Sequence, residues 1–549
     1  MLLLVGARAQ AQADITLYHM QDLPLNNRLN PAFQPKNGSI YIAIPAIPLL
    51  FAPTSIDVSV TGKNITYGNL LSKTPNYKSI VDGIGNYGVG QFNFGYTPIS
   101  FGFMVKDMYF SLDVNVKTHV EGRVPKDMAS LIYYGNGDDK TLGKKLSMNG
   151  LGGTGYAYAE IALGFSKEID PLNLIVGGKL KYLQGGAYAQ ANLGKDSYIQ
   201  TDKDNYYITV GIDPEMYLAG LPGSVPSGAV ALDSVANGVD FDLGSYKFNT
   251  GNRGFAFDIG GTWNVGNVVD QPWAKNLDVS ASLIDVGFIN WKGNKIVKAK
   301  DATPSITFEG MDMNGGKDFV NTLKDSIMSM TKVESAGDAS FRKWLSPTLY
   351  FGANYHIFKY LNAGALFGCR FDTYENLPLV AASINTQNLG VNASLSASYF
   401  DSKGNLGFGI LFGRRGCQFH IITDNILAAV SYKNAQSVNL RMGMNVLVGK
   451  TREKRKEIAA ADKRQDAYEP SSTQPGEALN PVQQEGTTGD KVEGSNAPEA
   501  ITNEATTSAA PTQAESNRED DNEDLSSITK KNDNPEQKVT KIPIKDDDE

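Results

Sequence analysis

"LGVNASLSASY", residues 389–399, alternates strictly between apolar and polar or small side chains. Leu389, Val391, Ala393, Leu395, Ala397 and Tyr399 fall on one face, and Gly390, Asn392, Ser394, Ser396 and Ser398 on the other. A period of two sustained over about ten residues marks a β-strand with two unlike faces. The pattern recurs in "MYFSLDVNVK" (108–117), "LDVSASLIDVG" (277–287) and "VNLRMGMNVLVG" (438–449). A soluble sandwich turns its apolar face inward, whereas a membrane barrel turns it to lipid. Length separates the two: sandwich strands average about 5–6 residues, and these run roughly twice that. Connections alternate between short ones, such as Lys106-Asp107 and "IDPLN" (169–173), and long ones, 186–253 and 292–345. Short turns at one end and long loops at the other are the outer-membrane pattern.

The expected fold is therefore all-β, a transmembrane antiparallel β-barrel of about 14 strands. The first lies within 39–61. Others follow near 92–106, 108–119, 153–167, 172–185, 254–266, 277–291, 346–357, 361–371, 378–386, 389–399, 404–413, 417–423 and 437–449. An even count returns both termini to the short-turn side, which is periplasmic in such barrels. No run approaches the ~18–20 consecutive apolar residues of a membrane helix.

Charge divides the chain. Residues 451–549 carry 13 Lys+Arg against 23 Asp+Glu, a net of −10, which leaves the preceding residues near +2. Nothing here suggests a nucleic-acid surface. The tail lacks apolar periodicity and is expected to be a disordered acidic periplasmic extension of the barrel. At the other end, "MLLLVGARAQAQA" (1–13) reads as a truncated signal-peptide remnant with Ala11-Gln12-Ala13 as the cleavage site. Residues 14–38 form an N-terminal periplasmic or hatch segment, and 39–450 the barrel.

Several motifs carry no chemistry. "GLGGTG" (150–155) matches a dinucleotide fingerprint, but the alternating "YAYAEIALGF" after it is a strand and not the helix such a site needs. Cys369 and Cys417 are placed too far apart on the expected strands to pair. His19, His119, His356 and His420 have no metal-ligand spacing, and no G-x-S-x-G is present. No catalytic residue, metal or cofactor is assigned, and the chain reads as a non-enzyme. Within the loop 292–345, "DFVNTLKDSIMSM" (318–330) spaces Phe319, Leu323 and Ile327 as a short amphipathic helix.

The functional interest falls on the face expected to line the lumen: Asp113, Asn115, Lys117, Lys179, Lys181, Asp258, Asp278, Arg370, Asn392, Asn439 and Arg441. Mixed charges there either orient a solute or pair with one another and a plug. Trp263, Trp273, Trp291 and Trp344 stand near strand ends, where an interfacial aromatic girdle is expected.

"RLNPAF" (28–33) precedes all of this. Proline fixes φ, removes a donor and pushes Asn30 toward extended geometry. The segment resembles the Asn-Pro-Ala stretch in the N-terminal hatch of the FadL-type long-chain fatty-acid transporters, 14-stranded outer-membrane barrels. "NRGFAFDIGGTW" (252–263), "LDVSASLIDVGFINWKGN" (277–294) and "VNLRMGMNVLVG" (438–449) are similar to a subgroup of such barrels catalogued only as a domain of unknown function. The resemblance implies a hatch at Leu29, Asn30, Pro31, Ala32 and Phe33, and passage of a small hydrophobic or amphiphilic molecule across the outer membrane. Its relatives in the type IX secretion system use a similar barrel to hold a partner protein. Two further readings therefore stand beside transport: a scaffold holding envelope proteins through loops or tail, and a lipid-modifying barrel enzyme. Expected partners are outer-membrane lipid, a hydrophobic small-molecule ligand and an envelope protein on the tail.

Overall fold

The computed structural model describes residues 14–43, 52–60, 65–220, 251–298, 305–308, 333–371, 376–400 and 403–458. The signal remnant 1–13, the expected loop helix at 318–330 and the tail beyond 458 lie outside the described residues.

Fourteen staves close into one antiparallel barrel. In chain order they are β1 (Ile40–Ala43 and Thr54–Val60), β2 (Tyr87–Val105), β3 (Met108–Pro125), β4 (Gly152–Ile169), β5 (Leu174–Leu193) and β6 (Pro214–Ala219 and Arg253–Asn264). Next come β7 (Leu277–Lys298), β8 (Val333–Trp344 and Thr348–Phe358), β9 (Leu361–Phe371), β10 (Asn376–Thr386) and β11 (Val391–Phe400). The last are β12 (Lys403–Phe412), β13 (Gly416–Thr423) and β14 (Ser437–Val448). Both halves of β1 pair with β2 on one side and β14 on the other, so the sheet has no free edge. Each expected strand coincides with one stave.

Side-chain burial is inverted relative to a soluble protein. On β5, Lys179 and Lys181 are 4% and 6% exposed, while Leu180 between them is 72% exposed. Phe255, Ile259, Val380, Ile384 and Leu395 likewise face outward. An apolar band of this extent around a closed barrel requires a hydrocarbon surrounding and not water.

The walls are unequal in height. β2–β5 and β7 run 18–22 residues, whereas β11–β13 run 8–10. Much of what reads in sequence as loops 186–253 and 292–345 is strand: β5 continues to Leu193, β7 to Lys298, and β8 begins at Val333. Beyond the barrel, Lys145–Ser147, Tyr198–Thr201, Ile208–Gly211 and Ile306–Phe308 form a separate four-stranded sheet among the long connections. The glycine-rich "GLGGTG" stretch enters β4, with Gly150 and Gly152 at positive φ.

Residues 14–39 run inside the barrel toward its short-turn end. A helical turn, α1 (Ile15–Tyr18), and a 3-10 turn at Pro24–Arg28 are almost fully buried. Ile15, Leu17, Tyr18, Met20, Leu23, Leu25 and Leu29 pack against Ile284, Tyr350, Leu366, Leu379, Leu411 and Ile422 of the wall. The inner face is thus apolar where this plug leans on it and carries charged and aromatic side chains farther along the lumen.

Candidate functional site

The plug is held through its Asn-Pro-Ala turn. Asn30 Oδ1 accepts from the Ala32 amide (3.0 Å), and its Nδ2 donates to the carbonyls of Gly261 (3.2 Å) on β6 and Ala281 (3.3 Å) on β7. One side chain therefore closes the local turn and pins it to two staves. Pro31 supplies the fixed φ that this turn uses and leaves no buried amide unmet. Ser282 donates to the Leu29 carbonyl (2.6 Å), and Gln34 reaches the Asp107 carbonyl (3.2 Å). The wall makes room with glycine: a Cβ on Gly177 would lie 2.5 Å from the Pro31 carbonyl carbon, and one on Gly260 would run into Asn30 Oδ1. Phe33 stacks edge-on against Tyr18 at 5.3 Å.

Farther in, Thr16 ties the plug to the short wall, its amide donating to Asp424 (2.9 Å) and its hydroxyl bonding Ser396 (2.8 Å). Asp14 pairs with Arg441. Asp22 accepts from Asn37 (2.8 Å), the Asn388 amide (2.6 Å) and Asn392 (3.0 Å).

Above the plug lies a chamber of about 260 Å³ whose floor is Leu17, Leu25, Arg28 and Leu29. Its wall carries a network of paired charges. Lys181 Nζ lies 2.6 Å from both Asp258 and Asp285. Lys117 meets Glu160 at 2.9 Å and Asp285 at 3.6 Å, and Asn115 donates to Glu160 (2.8 Å). Lys179 pairs with Asp113 at 2.9 Å, and Arg28 of the plug approaches the same carboxylate at 3.9 Å. Buried ions are tolerable only when matched in this way. Lys117 is the most accessible member, its side chain 34% exposed.

A ladder of aromatic rings climbs the tall wall beside this network. Lys117 lies over Tyr158 (5.9 Å to the ring centre). Tyr156 stacks near Tyr158 and Tyr188 (6.2 Å each), and Tyr188 continues to Trp291 (5.2 Å) and Phe341 (5.4 Å). Along its axis the lumen passes from apolar plug to charged collar to aromatic ladder.

The residues read from sequence divide accordingly. Asp113, Asn115, Lys117, Lys179, Lys181, Asp258 and Arg370 line or support the chamber. Asn392 and Arg441 grip the plug, and Asn439 accepts from the Asp424 amide (2.6 Å). Asp278 lies apart at the short-turn end, bonded to His356 (2.8 Å). Trp273 and Trp344 face outward, and Trp263 donates to the Leu172 carbonyl (3.1 Å). Trp291 corrects the girdle expectation, for it is 1% exposed and turned into the ladder.

The cause of that reversal is a β-bulge. The β6–β7 register shifts between Phe257 and Ile259, where β7 carries Asp285 at φ 58°. An extra residue resets the alternation. Before it Ser282 and Ile284 point inward, and after it Gly287, Ile289 and Trp291 do. Asp285 was missed for the same reason. Glu160, within the alternating "YAYAEIALGF", was legible by pattern.

No helix among the described residues is long and apolar enough to cross a membrane, and none of their His, Cys, Asp and Glu side chains cluster as metal ligands. Residues 31–424 match a family described as "Family of unknown function (DUF5723)". The chain belongs to that family. No curated protein matches it. Among solved structures it is similar to the toluene transporter TbuX of Ralstonia pickettii, with 9% identity, 77% of this chain and 93% of that one covered, and a TM-score of 0.39. It is also similar to the Pseudomonas putida toluene transporter TodX (10% identity, 80% and 93% covered, TM-score 0.32) and a Pseudomonas aeruginosa FadL homologue (11%, 80% and 97%, 0.33). The functional reading below rests on this chain's own residues.

Proposed function

We propose that this chain is an outer-membrane barrel, both termini periplasmic, that captures a small amphiphilic molecule in its lumen and passes it toward the plugged end. The observation carrying this is the juxtaposition of the aromatic ladder, Tyr156, Tyr158, Tyr188 and Trp291, with the collar of Lys117, Glu160, Lys181 and Asp285. Rings offer a flat apolar surface and the collar offers exchangeable ions. A ligand with a ring or chain at one end and a charged head at the other satisfies both. A wholly apolar solute would have to desolvate the collar without replacing its partners. Onward passage requires the turn at Leu29–Phe33 to leave the wall, breaking the Asn30 and Ser282 bonds.

Mass spectrometry of organic extracts from protein purified in mild detergent tests this, comparing wild type with Lys117→Gln and with Asn30→Ala/Pro31→Ala. A defined amphiphile held by wild type and depleted in Lys117→Gln is the expected result. Bulk lipid alone in all three proteins overturns it.

A second reading is favoured by the filled lower lumen. A plug anchored at Thr16, Asp22 and Asn30 suits a barrel that holds a partner and does not conduct. In that case the partner binds through the outer sheet or the tail. Pull-downs with and without residues 451–549 separate the two readings.

A further inference from the structure

A second cavity, of about 490 Å³, opens at the short-turn end, away from the chamber. Three separately placed parts of the chain build it: Lys36 where the plug leaves the barrel, Lys359 and Arg414 on the β8–β9 and β12–β13 turns, and Arg452 and Lys456 just after β14. One carboxylate, Glu453, lines it as well. Arg452 and Lys456 share Glu168 at 2.6 Å each. The other three cations have no carboxylate within 4 Å among the described residues. Lys36 donates to the Gln21 amide oxygen, Arg414 reaches only Asn37 (3.3 Å) and Asn388 (3.4 Å), and Lys359 sits 5.5 Å from the Tyr360 ring. The Arg452 Nε is buried with no hydrogen-bond partner.

Cations gathered this way repel one another unless a counter-charge sits among them. A guanidinium fork and two ammonium groups around one cavity match the oxygens of a phosphate, and their combined charge calls for more than one negative charge. We propose that this cavity binds a phosphate group and that the bound anion staples the plug exit to the turns and to the segment after the barrel. Hydrogen bonds already join these parts: the Arg452 amide donates to the Lys36 carbonyl (2.8 Å), and the Arg455 guanidinium donates to the carbonyls of Pro35 (3.1 Å) and Gly38 (2.6 Å). An anion in the cavity adds an ionic bridge from Lys36 to Arg414 beside the neutral Asn37 contact that already links the plug exit to that turn. The phosphate arrives either free in solution or on a lipid headgroup. Ile357 and Phe358, both exposed, line the same cavity and give it an apolar margin.

The test uses the full chain in a neutral detergent, wild type beside Lys359→Gln/Arg414→Gln. In one arm, calorimetry at fixed ionic strength follows inorganic tripolyphosphate. In the other, native mass spectrometry follows phosphatidylglycerol retained from mixed micelles, with phosphatidylcholine as the uncharged-headgroup control. The double variant is expected to bind at least tenfold more weakly in one arm. Loss in the first arm identifies a free phosphate ligand, and loss in the second identifies a headgroup. Lys73→Gln/Lys78→Gln, two exposed lysines that do not line the cavity, is the charge-matched control and leaves binding unchanged. Heat-modifiable migration in electrophoresis reports that the barrel is intact. Equal binding by wild type and double variant in both arms, or none by either, overturns the proposal.

Discussion

The plug seat and the chamber share one barrel wall but use opposite chemistry. Around the Asn-Pro-Ala turn and the plug's leucines contact is neutral, with Asn30 on two carbonyls and glycines where backbone meets backbone, and charge is met only beyond them, as at Asp14 and Arg441. In the chamber, contact is ionic and each carboxylate is shared or relayed, as Asp285 is between Lys117 and Lys181. Neutral close packing fixes one arrangement, because every displaced atom leaves a void or an unmet amide. In a shared ion network every ion has to stay matched, so an incoming charge is accommodated only by taking the place of a partner. The seat holds one arrangement, and under the proposed function the chamber is where a ligand's charge would find its partners.

The sharpest way to break this contrast is to remove the cation that two carboxylates share. Lys181→Met strands Asp258, leaves Asp285 to Lys117 alone and should cost about 3–5 kcal/mol, read as a lowered midpoint of thermal unfolding in detergent. Adding Asp258→Asn should restore much of it, since the amide needs no cation and Asp285 keeps Lys117. In the seat, Gly260→Val forces a side chain into Asn30 and should cost about 1–3 kcal/mol. The expected outcome is an unseated plug with the barrel intact, seen as protease cleavage within residues 14–39 and raised conductance in planar bilayers. Asn30→Ala removes the turn's pin and should cost about 1–2 kcal/mol, giving the same cleavage more slowly.

The smallest expected effect is that of pH. Burial holds the His19 imidazole down to about 4, against about 6.5 when unfolded. The unfolded chain therefore binds more protons between these values, and stability falls as the pH drops from about 6.5 toward 4. Asp424, which receives the Thr16 amide, is pushed up to about 6 by burial. Its contribution is complete below the unfolded value near 3.9 and is lost as the pH rises through 6. The two oppose each other, so Asp424→Asn should steepen acid loosening of the plug in hydrogen exchange, and His19→Gln should abolish it.

Alternation made the barrel legible because each stave meets lipid on one side and a polar lumen on the other, as at Lys179, Leu180 and Lys181. Asn-Pro-Ala made the plug's anchor legible, since proline and asparagine together restrict the backbone to few turns. Legibility ended where the period slipped. The bulge at Asp285 turned Trp291 inward and concealed an acid that two lysines share. It ended again above the bilayer, where strands such as "GGAYAQANL" (185–193) no longer separate lipid from lumen and read as loop. The apolar inner wall at Leu366, Leu379 and Leu411 was concealed for a different reason. Its partner is the plug, more than three hundred residues away in sequence.

The unequal staves carry a geometric consequence. At about 3.3 Å per residue and a tilt near 40°, strands of 18–22 residues rise roughly 20–35 Å higher along the axis than strands of 8–10. The mouth is therefore an oblique cut through a cylinder, with a low front over β11–β13 and a high back along β2–β7. If the chain captures a ligand as proposed, the low side is the shorter way from the membrane surface to the ringed inner face of the high side. If the chain instead holds a protein on its rim, the two levels would admit one rotational setting, as a bevelled plug fits a bevelled socket.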